Sequence, residues 1–144
     1  MTITPLTALE AASCGFTHKL VITAADVVTL TSGVAASIFP GFNGTANFPA
    51  NCILDSATAF VKTAFAGGTG TLTFGISDGT NQIINTGTDL KTVGPTTYNL
   101  TKPVGYSSAS KISITVTAGT GITGWTSGEL DVFINFVDLN TLAR

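Results

Sequence analysis

An all-β fold, an antiparallel β-sandwich, is what this sequence predicts, and three observations predict it. Apolar residues recur at every second position over several short runs, Gly, Pro and Asn separate the runs, and no stretch carries a long helical period. Eight or so such strands suit two packed sheets, with a jelly roll among the arrangements they fit. The many Thr and Val residues agree, since β-branched side chains suit a pleated surface. The 144 residues show no break in composition and read as one domain, long enough to bury about 68–70% of the unfolded surface.

Residues 1–17 stand apart from this alternation and are expected to form an N-terminal arm or a short helix, with 18–144 as the sandwich domain. Thr7-x-x-Glu10 makes a capping box in front of Ala11-Ala12, and Thr4-Pro5 offers a start one step earlier. Leu6, Leu9 and Phe16 are the arm's candidate contact residues. Period two begins at Leu20 and Ile22 and continues through Val34, Ala36 and Ile38, after which Pro40, Asn43-Gly44 and Pro49 punctuate a loop.

From Ile53 to Phe65 the alternation points Ile53, Ala57, Ala59, Val61 and Phe65 inward, with Ser56, Thr58 and Lys62 facing the other way. Gly67-Gly68-Thr69-Gly70 then leads to a run in which Leu72, Phe74 and Ile76 alternate with Thr71, Thr73 and Ser77. A glycine-rich link of this length between two such runs predicts a hairpin. Asp78-Gly79 closes the second run as a turn, and short strands are expected at Ile83-Ile84 and from Thr97 to Leu100. The cleanest strand has Lys111, Ser113, Thr115 and Thr117 outward and Ile112, Ile114, Val116 and Ala118 inward.

The last strand, Glu129 to Val137, places Leu130, Val132, Ile134 and Phe136 on one face. Its other face carries Glu129 and Asp131 but also Phe133 and Val137, where an antiparallel sandwich normally presents polar residues. Phe133 and Val137 are therefore candidates for contact with another subunit. The competing reading is that the N-terminal arm or the C-terminal tail of the same chain covers them.

Charge is the unusual quantity. Asp, Glu, Lys and Arg make up 10% of residues, against about 25% in an ordinary soluble domain, while the apolar share is an ordinary 44%. Thr, Ser, Asn and Gly have replaced the charges, so the surface is hydrogen-bonding and carries little long-range field. A net charge of −2 with six scattered basic residues argues against nucleic acid, which needs several Lys or Arg on one face. Mean hydropathy is +0.44, yet no segment approaches the ~20 apolar residues of a membrane helix. The first 15 or so residues have neither a basic region nor a continuous apolar one, so no export signal is expected. Cys14 and Cys52 are accordingly read as free thiols of a reducing compartment.

No catalytic constellation emerges. His18 is the only histidine and begins a strand beside Lys19, which suits a strand-edge polar residue better than a triad member. Cys14-x-x-x-His18 lacks the further ligands zinc wants, so neither metal nor cofactor is expected. Glu129 and Asp131 lie two apart on one face, a spacing a glycosidase might use, although two solvated charges that discourage edge aggregation explain them as well. Asp78-Gly79-Thr80-Asn81 faintly resembles a calcium loop, but an Asx turn accounts for it without an ion. Gly67–Gly70 joins two strands and so is no phosphate cradle. Asn43-Gly44-Thr45 and Asn99-Leu100-Thr101 match the glycosylation pattern without an export signal to use it. Trp125, among Gly121, Gly124 and Gly128, reads as a cap on the open end of the sandwich, a plug into a neighbour, or a sugar platform.

Several of these runs together resemble a family. Val61-x-x-x-Phe65-x-Gly67-Gly68-Thr69-x-Thr71-Leu72-Thr73 followed by Asp78-Gly79 is similar to small β-sandwich virion proteins of tailed bacteriophages. So are His18-Lys19-Leu20-Val21-Ile22-Thr23 with Ala24-Ala25-Asp26, and Ile112-x-Ile114-x-Val116-x-Ala118-Gly119 leading to Gly128-Glu129-Leu130-Asp131-Val132-x-Ile134. The likeness covers about residues 18–138. It implies a head decoration (cement) protein with no catalytic residues, made in the host cytoplasm and held on the capsid exterior. The implied partners are the major capsid protein and other copies of the chain, commonly as trimers with arms over neighbouring capsomers. The Pro40–Pro49 loop and the Cys-bearing arm depart from the pattern. A tail-fibre or carbohydrate- or receptor-binding module is the alternative, and Trp125, Tyr98 or Tyr106 would have to supply its aromatic platform.

Overall fold

The computed structural model describes residues 2–37, 49–96 and 103–142, the side chains at 2, 3, 13, 14, 37, 141 and 142 excepted. The expected strand at Thr97–Leu100, both glycosylation patterns, Tyr98, Ile38 and the Pro40–Asn43 part of the loop lie outside those residues, as does the Cys14 side chain. Two antiparallel sheets enclose a single apolar core. One runs β1 (Thr2–Pro5), β2 (His18–Thr23), β10 (Ser127–Asp138), β4 (Cys52–Ala66) and β7 (Gly94–Pro95), with β8 (Val104–Tyr106) also paired to β4. The other runs β3 (Ala35–Ser37), β9 (Ser113–Ala118), β5 (Leu72–Ser77) and β6 (Gln82–Asp89).

Period-two alternation sets which side chains fill the core. Leu20 and Ile22 from β2, Leu130, Val132 and Ile134 from β10, and Ala57, Ala59 and Val61 from β4 are buried. They meet Leu72, Phe74 and Ile76 from β5 and Ile112, Ile114 and Val116 around β9. Among the described residues three short helices punctuate the chain: α1 (Ala8–Cys14), α2 (Ala24–Val27) and α3 (Leu139–Leu142). Helix α1 starts at Thr7, whose capping box with Glu10 is fully formed. Helix α2 starts at a second such box, Thr23 with Asp26, and buries Ala24 and Val27.

In β4 the alternation changes phase. Ser56 pairs with Asn135, but the next pair along is Leu54 with Phe136, so Asp55 is an extra residue. Such a bulge shifts every following side chain to the opposite face. Cys52 and Leu54 therefore point into the core, and Ile53, expected inward, is half-buried on the outer face opposite Val137.

The larger correction concerns Gly67–Gly70. The strands it joins do not pair with each other: β4 pairs with β10, β7 and β8, and β5 pairs with β9 and β6. The link is an arch that carries the chain from one sheet to the other. Gly67 and Gly70 have φ of 99° and 81°, left-handed values that L side chains resist. A Cβ on Gly68 would lie 2.5 Å from Cε2 of Trp125, so only glycine lets the backbone lie against the indole. The loop before β10 grips the arch: Thr126 N–H donates to the Ala66 carbonyl at 2.9 Å, and the Thr69 and Thr120 hydroxyls lie 2.9 Å apart. Trp125 is thus 2% exposed and closes this end of the sandwich.

The Asp78-Gly79 turn does make a hairpin, between β5 and β6, but one with a distorted partner. Phe74 pairs with Thr88 and Ile76 with Ile84, so four steps along β6 oppose two along β5. The Gln82 side chain accepts from the Thr86 amide at 3.1 Å. Strand β6 is the end of its sheet, and a bulge with a capped amide blunts that edge against further strand pairing.

Substituting Gly68→Ala is expected to destabilise the fold by about 1–3 kcal/mol, the usual cost of overpacking. Gly105→Ala, whose Cβ would enter open space, should stay within about 0.5 kcal/mol. Urea denaturation followed by Trp125 fluorescence measures both, and equal losses would refute the close contact.

Candidate interaction surface

The outer face of the β1-β2-β10-β4-β7 sheet gathers most of the residues singled out from sequence. On the central strand β10, Phe133 sits between Lys19 of β2 and Thr58 of β4, and Asp131 sits between Val21 and Phe60. Lys19 Nζ reaches Asp131 Oδ2 at 2.7 Å and stands 5.8 Å from the centre of the Phe133 ring. Phe16 packs tilted against the same ring, centroid to centroid 5.9 Å. Phe133 is half-buried by residues of its own chain, so the arm supplies part of its cover. Val137 is half-buried beside Ile53, and Phe60 remains 38% exposed.

The charges on this face compensate one another. Lys62 donates to Glu129 Oε1 at 2.8 Å, beside the Lys19–Asp131 pair. The two pairs differ in burial. Asp131 is only 4% exposed and its Oδ1 is buried without a hydrogen-bond partner, whereas the Lys62 side chain is 53% exposed. A desolvated carboxylate makes its remaining ion pair costly to remove, while an exposed pair contributes little. Glu129 and Asp131 are thus each held by a lysine on a neighbouring strand, and they lie on a sheet face rather than across a cleft.

The arm residues divide. Leu6 and Phe16 are half-buried against the body, with Leu6 N–H donating to the Thr17 carbonyl at 2.8 Å, while Leu9 on α1 is 78% exposed. Trp125 does not belong to any accessible surface. Its burial under the glycine arch removes it as a platform or plug, and Tyr106, 8% exposed, is likewise turned inward.

The remaining chemically versatile groups are engaged within the fold. His18 packs edge-on against Phe136 at 5.5 Å with Nδ1 2.9 Å from the Thr17 hydroxyl, and burial lowers its pKa. Cys52 is a free thiol that donates to the Pro49 carbonyl at 2.8 Å, and burial pushes its pKa up to about 12. Asp78 accepts from the amides of Thr80 and Asn81 at 2.8 and 2.6 Å and from the Tyr106 hydroxyl at 2.9 Å, so its oxygens serve the Asx turn. Burial opposes its ionisation, but these donors outweigh that and hold its pKa below the ordinary value. Among the described residues no group of three or more His, Cys, Asp or Glu could hold a metal, and no helix is long and apolar enough to cross a membrane.

An open groove of about 520 Å³ lies between β6 and β7, bordered by Asn85, Thr88, Asp89, Val93 and Thr96. Among the described residues no aromatic ring lines it. The Asp89 carboxylate is occupied by the Lys91 amide and the Thr92 hydroxyl. Compared with known families, curated proteins and solved structures, the chain matches none.

Two outcomes are expected. Lys19→Met should cost about 1–3 kcal/mol by stranding the Asp131 carboxylate, and Lys62→Met distinctly less, as read from denaturation midpoints. Acid should also act through Asp78. Its folded pKa lies below the unfolded one, so its contribution is complete above the unfolded value, about 3.9, and is lost as pH falls through the folded value. Asp78→Asn should therefore flatten the fall in stability as pH drops below about 4, and a fall as steep as in the unsubstituted chain would contradict this.

Proposed function

We propose that this chain is a structural virion protein, a jelly-roll body that decorates and stabilises a bacteriophage capsid from the outside by binding the lattice of the major capsid protein. It assembles as a homo-oligomer, a trimer by preference, and performs no reaction. The strand order carries this reading. From β2 onward, successive strands change sheet at every step except β5 to β6 and β7 to β8, leaving β2-β10-β4-β7 against β3-β9-β5-β6. We read that order as a jelly roll, the double-sheet architecture of viral capsid and lectin domains.

Surface chemistry favours the capsid over the glycan. Of the three rings named for a sugar platform, Trp125 and Tyr106 are both inside and Tyr98 lies outside the described residues. The outer face of the six-stranded sheet offers Phe60 and the half-buried Phe16, Phe133 and Val137 beside compensated ion pairs, with Leu9 78% exposed on α1. Such a surface suits a weak, mostly neutral contact, repeated over many copies so that effective concentration supplies the avidity. It offers no basic face for nucleic acid.

Co-sedimentation of the purified protein with capsids that lack it tests the reading. Retention is expected, with affinity changing less than about tenfold between about 50 and about 500 mM salt, because few charges are available to screen. No retention, or release by salt over several orders of magnitude, would overturn it.

A further inference from the structure

We propose that residues Thr2–Gly15 form an exchangeable strap, so that β1 of one copy can complete the β2 edge of a second copy of this chain. The inference stands on the geometry of the arm and needs no capsid. Strand β1 is the end of its sheet and is held to β2 through four antiparallel pairs, from Thr2 with Val21 to Pro5 with His18. The surface that receives it is therefore defined by a segment this chain itself carries, and a second copy supplies the same segment.

The connection between β1 and β2 is weakly attached to the body. Helix α1 has seven residues, and Ala8, Leu9, Glu10 and Ala12 on it are exposed. Helices this short do not persist in water on their own hydrogen bonds. Here the Thr7–Glu10 box and the left-handed Gly15, φ 74° with open space around it, hold the turn together. Among the described side chains, Leu6, Ala11 and Phe16 lend half-buried apolar area and none is fully buried, so the segment can open as a unit at small cost relative to the core.

Reach is sufficient. Residues 6–17, drawn straight, span about 40 Å, close to the ~37 Å diameter of a compact chain of this length. Exchange re-forms the same ladder in trans and creates no new surface, which is why swapping of an end element is a low-cost route to association. In cis the strap sees its own edge at an effective concentration on the order of millimolar. Exchange is accordingly driven by crowding copies together.

The test uses Thr2→Cys/Val21→Cys in a Cys14→Ser background, with isotopically light and heavy copies mixed equally and oxidised after equilibration at about 10 μM to about 1 mM. Peptides bridging positions 2 and 21 that combine one light and one heavy chain are expected, in a share that rises with concentration. Bridged peptides of light–light and heavy–heavy type alone, at every concentration, would overturn the proposal. Hydrogen exchange on the unsubstituted chain is the second reading. The amides of Ile3 and Thr4 should exchange as a unit and far faster than those of β10, and equal protection would also overturn it.

Discussion

The contact between the backbone of Gly68 and the ring of Trp125 decides how this chain is built. Because the link after Ala66 passes beneath the indole, β4 and β5 enter different sheets. Strand β4 is then free to pair along β10 from Ala66 with Ser127 to Cys52 with Asp138, and β5 to pair with β9 and β6. The same contact closes one end of the core and withdraws the only tryptophan from the surface. Fold, core closure and the burial of the tryptophan meet at one place where a side chain has no room.

Much of this was legible residue by residue. The alternation from Ile112 to Ala118 and from Leu130 to Phe136 named the inward side chains, because a half-buried strand writes its two faces into its sequence. The Thr7–Glu10 pattern likewise located the start of α1. The identical logic at Thr23 and Asp26 was passed over, since that box follows directly on a strand and opens a single turn of helix.

What was not legible depends on partners distant in sequence. A four-residue glycine-rich link suits a hairpin and an arch equally, and the residue that chooses between them is Trp125, more than fifty positions later. The bulge at Asp55 has no local signature either, because it reflects the register of β10 opposite. Alternation placed Asp131 on the outer face correctly but gave no sign of its burial, which comes from neighbours on adjoining strands. That bulge is why Ile53 faces outward, and of the three readings open to Trp125 its burial supports the cap on the end of the sandwich.

The groups best able to do chemistry are spent on structure: Asp78 on a turn, Asp131 and Glu129 on lysines, Cys52 in the core, and half-buried His18 against Phe136. The proposed role asks only that many copies be held side by side through their faces. The most direct measurement is the number of copies per particle, by quantitative mass spectrometry of intact virions against the coat protein. A fixed, high ratio set by the lattice, in the hundreds for a large capsid, is the result expected on the avidity argument. A handful of copies, or none, would contradict the account.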